Sequence, residues 1–349
     1  MDIIVIIEKI VLIIVVFAVT LGVALYETLA ERRVAAFFQD RLGPNRAGFQ
    51  GLLQPLADGI KMFFKEEIIP SQASSFLFVA GPSLAMLTAC MTGAVIPWSS
   101  DLTIGKHIMP LQVADINIGV LYIFGVVSLG VYGVMIGGWA SNNKFSLLGA
   151  VRAASQNISY EIAMGLSIIA LLMSVGTLGL REIVTQQQGF NWNIFRQPLG
   201  FLIFIICAFA ETNRTPFDLP ECETELVGGY HTEYSSLKLG FFLFAEYINM
   251  FISSAIMATL YFGGYNFPFM NQLGLSQNGL AIAGLISMAL KIGFFIFFFM
   301  WVRWTIPRFR YDQLMRLGWN VLIPLAMLNI ILTGLFIEFH PFNWLSRLF

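Results

Sequence analysis

Six carboxylates, Glu211, Asp218, Glu221, Glu223, Glu225 and Glu233, stand in the stretch FAETNRTPFDLPECETELVGGYHTEY (residues 209–234) against one cation, Arg214. In a helix Glu221 and Glu225 share a face; in an extended segment Glu221, Glu223 and Glu225 do. Either way like charges crowd, and crowding with partial burial favours the neutral, protonated carboxyl. Such a cluster takes up and releases protons, whereas the same residues left in water are a solvated acidic loop. Charge alone leaves both readings open.

Ionisable residues inside apolar runs are a stronger signal, because each costs at least about 2.5 kcal/mol near a bilayer centre unless it faces protein or water. Four stand out: Glu161 in SYEIAMG, Glu211 in FAETNR, Glu246 in FAEYINM and Lys291 in MALKIGF. Glu161 and Glu211 fall near span ends, while Glu246 and Lys291 fall deep within theirs. Three acids against one base leave carboxylates over, which favours a hydrated proton relay above a purely structural ion pair. Cys90, Cys207 and Cys222 are isolated and the histidines are His107, His231 and His340, so no iron–sulfur or zinc spacing is present. A G-x-G-x-x-G or Walker-type phosphate loop is absent too. Redox or nucleotide chemistry therefore requires other subunits.

The elements that carry these residues follow from hydropathy. Of 349 residues 57% are hydrophobic and 12% charged, and the mean hydropathy is +0.74. This is an all-α, polytopic membrane protein, read as one integral membrane domain over residues 1–349. Apolar runs predict about eight transmembrane helices, at 3–26, 76–97, 117–138, 160–180, 198–212, 237–263, 281–302 and 319–338. Residues 51–68 add an interfacial amphipathic helix, with Leu53, Leu56, Ile60, Phe63 and Phe64 on one stripe and Gln54, Asp58, Lys61 and Lys65 on another. Loops 27–75, 139–159, 213–238 and 303–318 hold 14 of the Lys and Arg residues against 5 in the remaining loops and ends. The four basic loops are therefore expected inside and both termini outside. Arg303, Arg308, Arg310 and Arg316 of the last basic loop complement the acidic loop 213–238 and are candidates to pair with it.

The strings ERRVAAFFQDRLGPNR, LLQPLADGIKMFFKE, GWASNNKFSLLGAVRAASQNISYEI, AETNRTPFDLPECETELVGGYHTEYSS, AEYIN and RWTIPRFRYDQLM resemble, in order and over nearly the whole chain, the quinone-site membrane subunit of respiratory complex I, the proton-pumping NADH:quinone oxidoreductase. That resemblance implies a subunit that closes a quinone cavity under the hydrophilic arm, with quinone as substrate. Iron–sulfur clusters, FMN and NADH would then sit on partner subunits, and no cofactor, metal or catalytic residue on this chain. The implied partners are the hydrophilic subunit carrying the terminal iron–sulfur cluster, small membrane subunits, antiporter-like subunits and the lipid bilayer, with no nucleic acid. Implied quinone-cavity residues are Glu31, Arg32, Lys61, Lys65, Arg303 and Arg308. Implied proton-relay and coupling residues are Glu161, Glu211, Glu221, Glu223, Glu225 and Glu246. The implied location is the bacterial cytoplasmic (inner) membrane with periplasmic termini, the mitochondrial inner membrane being the alternative.

Two departures from the family pattern concern Asn157, where Met or Thr is common, and Cys222, where Gly is common. Equivalent subunits of membrane-bound hydrogenases or ferredoxin-dependent complexes, and a stand-alone proton or cation transporter, are the rival readings. The transporter reading lacks a pair of broken helices repeated between the two halves.

Overall fold

The computed structural model describes residues 3–105 and 107–339. The expectations that involve Lys106, His340, Arg347 and the outward C-terminus lie outside the described residues. Eight apolar helices and one short amphipathic helix carry the fold: α1 (Ile3–Phe38), α2 (Gln54–Phe64), α3 (Ser75–Thr92), α4 (Gly119–Ala140), α5 (Lys144–Val175), α6 (Pro198–Glu211), α7 (Ser236–Tyr261), α8 (Gln277–Thr305) and α9 (Ile323–Glu338). Seven are long and apolar enough to cross a membrane, α9 together with the helical turns that lead into it from Tyr311; α6 is the exception. At 14 residues, α6 spans about 21 Å, short of the ~30 Å hydrocarbon layer. A two-stranded hairpin, β1 (Leu102–Ile104) and β2 (His107–Met109), lies between α3 and α4.

The all-α architecture and the eight apolar runs agree with the hydropathy reading, and the differences are physical. Helix α1 continues twelve residues past its expected end, because ETLAERRVAAFF holds no Gly or Pro to stop it. Helix α2 is shorter than 51–68: Pro55 sits in its first turn and Lys65 turns extended at its end. Helix α5 begins at Lys144 rather than near residue 160, with the Asn143 side chain accepting a hydrogen bond from the Phe145 amide as its cap. The polar residues that make 139–159 read as a loop are satisfied within the protein. Gln156 donates to the carbonyls of Ala210 and Phe217, and Ser146 to that of Tyr230.

Helices α3 and α4 approach through small residues, so close that a Cβ on Gly81 would lie 2.7 Å from the Gly137 Cα and one on Gly133 2.7 Å from the Ala85 nitrogen. Helix α7 is the buried centre, packed against α1, α2, α3 and α8. The four basic loops gather at one end of the bundle. There Ser236 donates to the Met62 carbonyl, Tyr234 to the Gly137 carbonyl and the Ile68 amide to the Ser235 hydroxyl. Residues 212–220 are buried throughout, as irregular backbone at membrane depth must be.

Candidate functional site

Arg214 is the centre of this end of the bundle. It leaves the C-terminus of α6 in a buried turn, 6% exposed, and its guanidinium lies 4.2 Å from the centroid of the Tyr247 ring. One Nη stands 3.5 Å from Glu31 Oε2 on α1 and the other 3.9 Å from Glu246 Oε2 on α7. The surrounding acids raise Arg214 further above its usual range despite its burial, so it is charged at any physiological pH. Glu31 also pairs with Arg303 of α8 and accepts a 2.8 Å hydrogen bond from Tyr247 Oη. The twelve extra residues of α1 are what place Glu31 and Arg32 here.

On one side of Arg214 lie the residues expected to line a quinone path. Arg32 pairs with Asp58 of α2 at 2.8 Å and Ser236 donates to the Met62 carbonyl, so α2 is tied to both α1 and α7, and Lys238 pairs with Glu67 just beyond α2. Leu53, Leu56, Ile60, Phe63 and Phe64 of α2 are exposed apolar residues beside exposed Lys61 and Lys65, the arrangement of a helix lying in a membrane interface. Neither lysine is brought to the buried cluster.

On the other side the acidic stretch divides. It does not present its carboxylates on one face, because the Pro-bounded TPFDLP segment sends each to a different partner. Asp218 meets Arg308 at 2.9 Å, Glu225 meets Arg152 at 2.6 Å, and Glu233 accepts from Asn143 at 2.6 Å. Glu221 turns inward instead. Tyr230 Oη lies 3.1 Å from Glu221 Oε1 and 2.8 Å from Glu246 Oε1. A phenol has one proton to donate and burial holds that proton firmly on Tyr230. The two contacts are satisfied together when one carboxyl carries a proton and donates back, so the trio is built to share one. Glu223 begins a short helix (Glu223–Leu226); the position of its side chain lies outside the described residues. Cys222 has φ of −56°, so this position makes no demand for glycine.

Glu221, His231 and Glu246 offer ligand atoms within 4.8 Å of one another. The Arg214 cation beside Glu246 opposes a metal ion there. Burial lowers His231 to about 4, so its 3.3 Å approach to Glu221 is not a salt bridge at neutral pH.

Beyond Glu246 the bundle encloses a cavity of ≈ 50 Å³, lined in part by Asn157, Glu161, Glu211, Tyr230, Glu246 and Asn249. It has room for about four waters. A second cavity of ≈ 20 Å³ adjoins it at Glu211 and Asn249. Glu161 lies in the middle of α5, hydrogen-bonded to Ser128 of α4, not near a span end where its side chain would reach the interface. The structure thus brings Glu161, Glu211, Glu221 and Glu246 together and leaves Glu225 outside. Lys291 is a correction as well. It donates to the carbonyls of Phe262, Gly264 and Asn266 past the C-terminus of α7, a structural cap with no carboxylate partner among the described residues. Arg214, Tyr230 and Tyr247 escape sequence reasoning as members of the site. Arg214 reads only as the lone cation of the acidic stretch, and the two tyrosines are ordinary aromatics by type.

Of the arginines expected to face the acidic loop, Arg308 does so and Arg303 turns to Glu31 instead. Burial raises Asp218 to about 6 while Arg308 pulls it down. Above that pH the pair is charged; below it the carboxyl is neutral and the pair weakens. Activity that depends on this contact should fall as pH drops through about 6. Asp218→Asn should lack that step and stay low throughout. Arg308→Ala removes the contact itself and should stay low throughout as well. Activity measured between about pH 5 and 8 checks all three, and a wild-type profile in either variant contradicts the assignment.

Fold and site define a polytopic membrane protein that holds a chain of ion pairs and proton-sharing carboxyls inside a helical bundle. The family model described as NADH dehydrogenase matches residues 10–334, and the chain belongs to that family. Among curated proteins it is 68% identical over 327 residues to an H-type subunit of NADH-quinone oxidoreductase from Cytophaga hutchinsonii, covering 94% of this chain and 96% of that one. It is 66% identical over 337 residues to the H-type subunit of NADH-quinone oxidoreductase from Flavobacterium psychrophilum, covering 96% and 98%. With an H-type subunit of the same enzyme from Geobacter metallireducens it shares 47% over 337 residues, 93% and 94% of the two chains.

Proposed function

We propose that this chain is the membrane subunit of a bacterial NADH-quinone oxidoreductase, complex I, that closes a quinone cavity and couples quinone reduction to proton translocation. Family membership and the named relatives support the subunit assignment. The observation that carries the coupling role is Arg214, which joins Glu31 and Arg303 on the α1, α2 and α8 side to Glu246 and the carboxyl-lined cavity on the other. In this reading quinone enters beside α1, α2 and α7, past Lys61 and Lys65. Its negative charge on reduction pulls on the Arg303 and Arg214 cations, and the change in their pairing moves the proton shared by Glu221 and Glu246.

The NADH site, FMN and iron–sulfur clusters belong to partner subunits, and the basic loops with the Asp218 and Arg308 contact face the hydrophilic arm. The bacterial relatives support the bacterial inner membrane as its location, and the charge asymmetry of the loops supports both termini outside.

The quinone path has a direct test. In Lys65→Ala, quinone reductase activity should fall several-fold while electron transfer from NADH to a hydrophilic artificial acceptor persists. Equal loss of both activities, or of neither, would sink the placement of the path along α2. Co-purification of the chain with iron–sulfur subunits separates this reading from a stand-alone transporter, which would be active alone.

A further inference from the structure

Glu27 lies one turn before Glu31 on the same face of α1, is 3% exposed, and has no hydrogen-bond donor at either carboxylate oxygen. Arg214, 3.5 Å from Glu31, is a cation that this face of α1 meets. The Nε and one Nη of Arg214 are themselves buried without an acceptor. The distances of 3.5 Å to Glu31 and 3.9 Å to Glu246 both exceed the ~2.8 Å of a formed charged hydrogen bond. Buried donors and buried acceptors of opposite charge stand unpaired as neighbours. Leaving both so is costly in a dry interior, which makes a second arrangement of the arginine accessible.

We propose that Arg214 is a two-position switch, pivoting on Glu31, whose guanidinium pairs with Glu246 in one position and with Glu27 in the other. The inference rests on the reading of Glu246 as a proton-carrying group. Glu31 stays paired with Arg303 and Tyr247 in both positions. The Tyr247 ring beneath the guanidinium is a face along which a desolvated cation moves without losing contact. The groups facing Arg214 are Glu27 and Glu31 from α1, Glu246 and Tyr247 from α7, Arg303 from α8, and Glu221 from the 212–235 loop; His231, neutral, lies behind Glu246.

Charge balance sets the proton movements. One guanidinium, free to move between Glu27 and Glu246, neutralises one of them, and the other carries a proton. When Arg214 leaves Glu246, that carboxyl takes a proton from Glu221 through the Tyr230 hydroxyl, and Glu27 gives its own to the reduced quinone, whose conversion to quinol takes up protons. On the return stroke Glu246 hands its proton back to Glu221 and Glu27 is reprotonated from water. Glu27 is thus a positioning residue that fixes the second end of the stroke.

The test uses the intact complex in sealed membrane vesicles. Glu27→Gln keeps the shape and removes the charge, so the complex should assemble and pass electrons to an artificial acceptor. Quinone reductase turnover should fall roughly tenfold, in the range of coupling between neighbouring sites, with the KM for quinone unchanged and one step missing from the pH profile. Glu27→Asp should restore most of the turnover. Glu27→Leu, which removes an unpaired buried acid, should assemble at least as well as wild type and show the same turnover loss. Wild-type turnover and pH profile in Glu27→Gln or Glu27→Leu would overturn the switch. If Glu246→Gln is then still defective, only the switch fails; if it too is wild type, the relay beneath it fails.

Discussion

In Glu246→Gln the complex assembles, and quinone reductase turnover falls by an order of magnitude or more. The substitution keeps the side-chain volume at a position that is 7% exposed, so packing is preserved. What it removes is the acid that shares a proton with Glu221 across Tyr230 and stands 3.9 Å from Arg214. Gln donates and accepts hydrogen bonds but never ionises, so the proton has nowhere to go. A group acting in the rate-determining transfer shows its effect in kcat, and a loss of 10²-fold corresponds to about 2.7 kcal/mol of barrier. Turnover of membrane vesicles with saturating quinone, beside the artificial-acceptor rate, is the readout. A change in KM alone would mean that Glu246 only shapes the quinone site.

Gly229→Ala should abolish assembly. Gly229 has φ of +57°, and a Cβ built there lies 1.7 Å from the Pro220 carbonyl oxygen, a backbone atom that no rotamer change moves away. The adjoining helix α5 is equally close, since a Cβ on Gly149 would lie 2.7 Å from the Tyr230 nitrogen. The left-handed conformation alone costs a side chain about 1–2 kcal/mol. The overlap forces the 220–230 turn open and withdraws Tyr230 from both carboxyls. Gly176→Ala is the control, because Gly176 has φ of +78° but open space around its Cβ direction. It should cost about 1 kcal/mol and leave the amount of complex in membranes unchanged. Immunodetection of the chain in membranes compares the two; equal levels would mean the turn relaxes.

The spans and the interfacial helix are legible because burial in lipid demands long apolar runs, and nothing else in a sequence looks like them. Glu246 is legible for the converse reason, an acid in such a run. Helix α5 is not, since Lys144, Arg152, Gln156 and Asn157 lower local hydropathy while the partners of Arg152 and Gln156 lie on other segments. The fate of the acidic stretch is not legible either. Asp218, Glu225 and Glu233 find partners 73 to 90 residues away along the chain, whereas Glu221 meets Tyr230 nearby, and no local spacing encodes which carboxyl turns inward. Lys291 reads as a charge in need of a counter-ion because sequence does not display three converging carbonyls. Glu27 is hidden because hydropathy ends α1 at residue 26, twelve residues short of Phe38.

The proposed coupling requires Glu221 and Glu246 to act as one proton-sharing unit across Tyr230. Protons translocated per electron, measured in reconstituted vesicles for Glu221→Gln, Glu246→Gln and the double variant, decide whether they do. Each single variant should lose most of the pumping, and the double variant should be little worse than the worse single, as residues acting as a unit require. Losses that multiply in the double variant, or wild-type stoichiometry in all three, would show that the two carboxyls work independently or not at all.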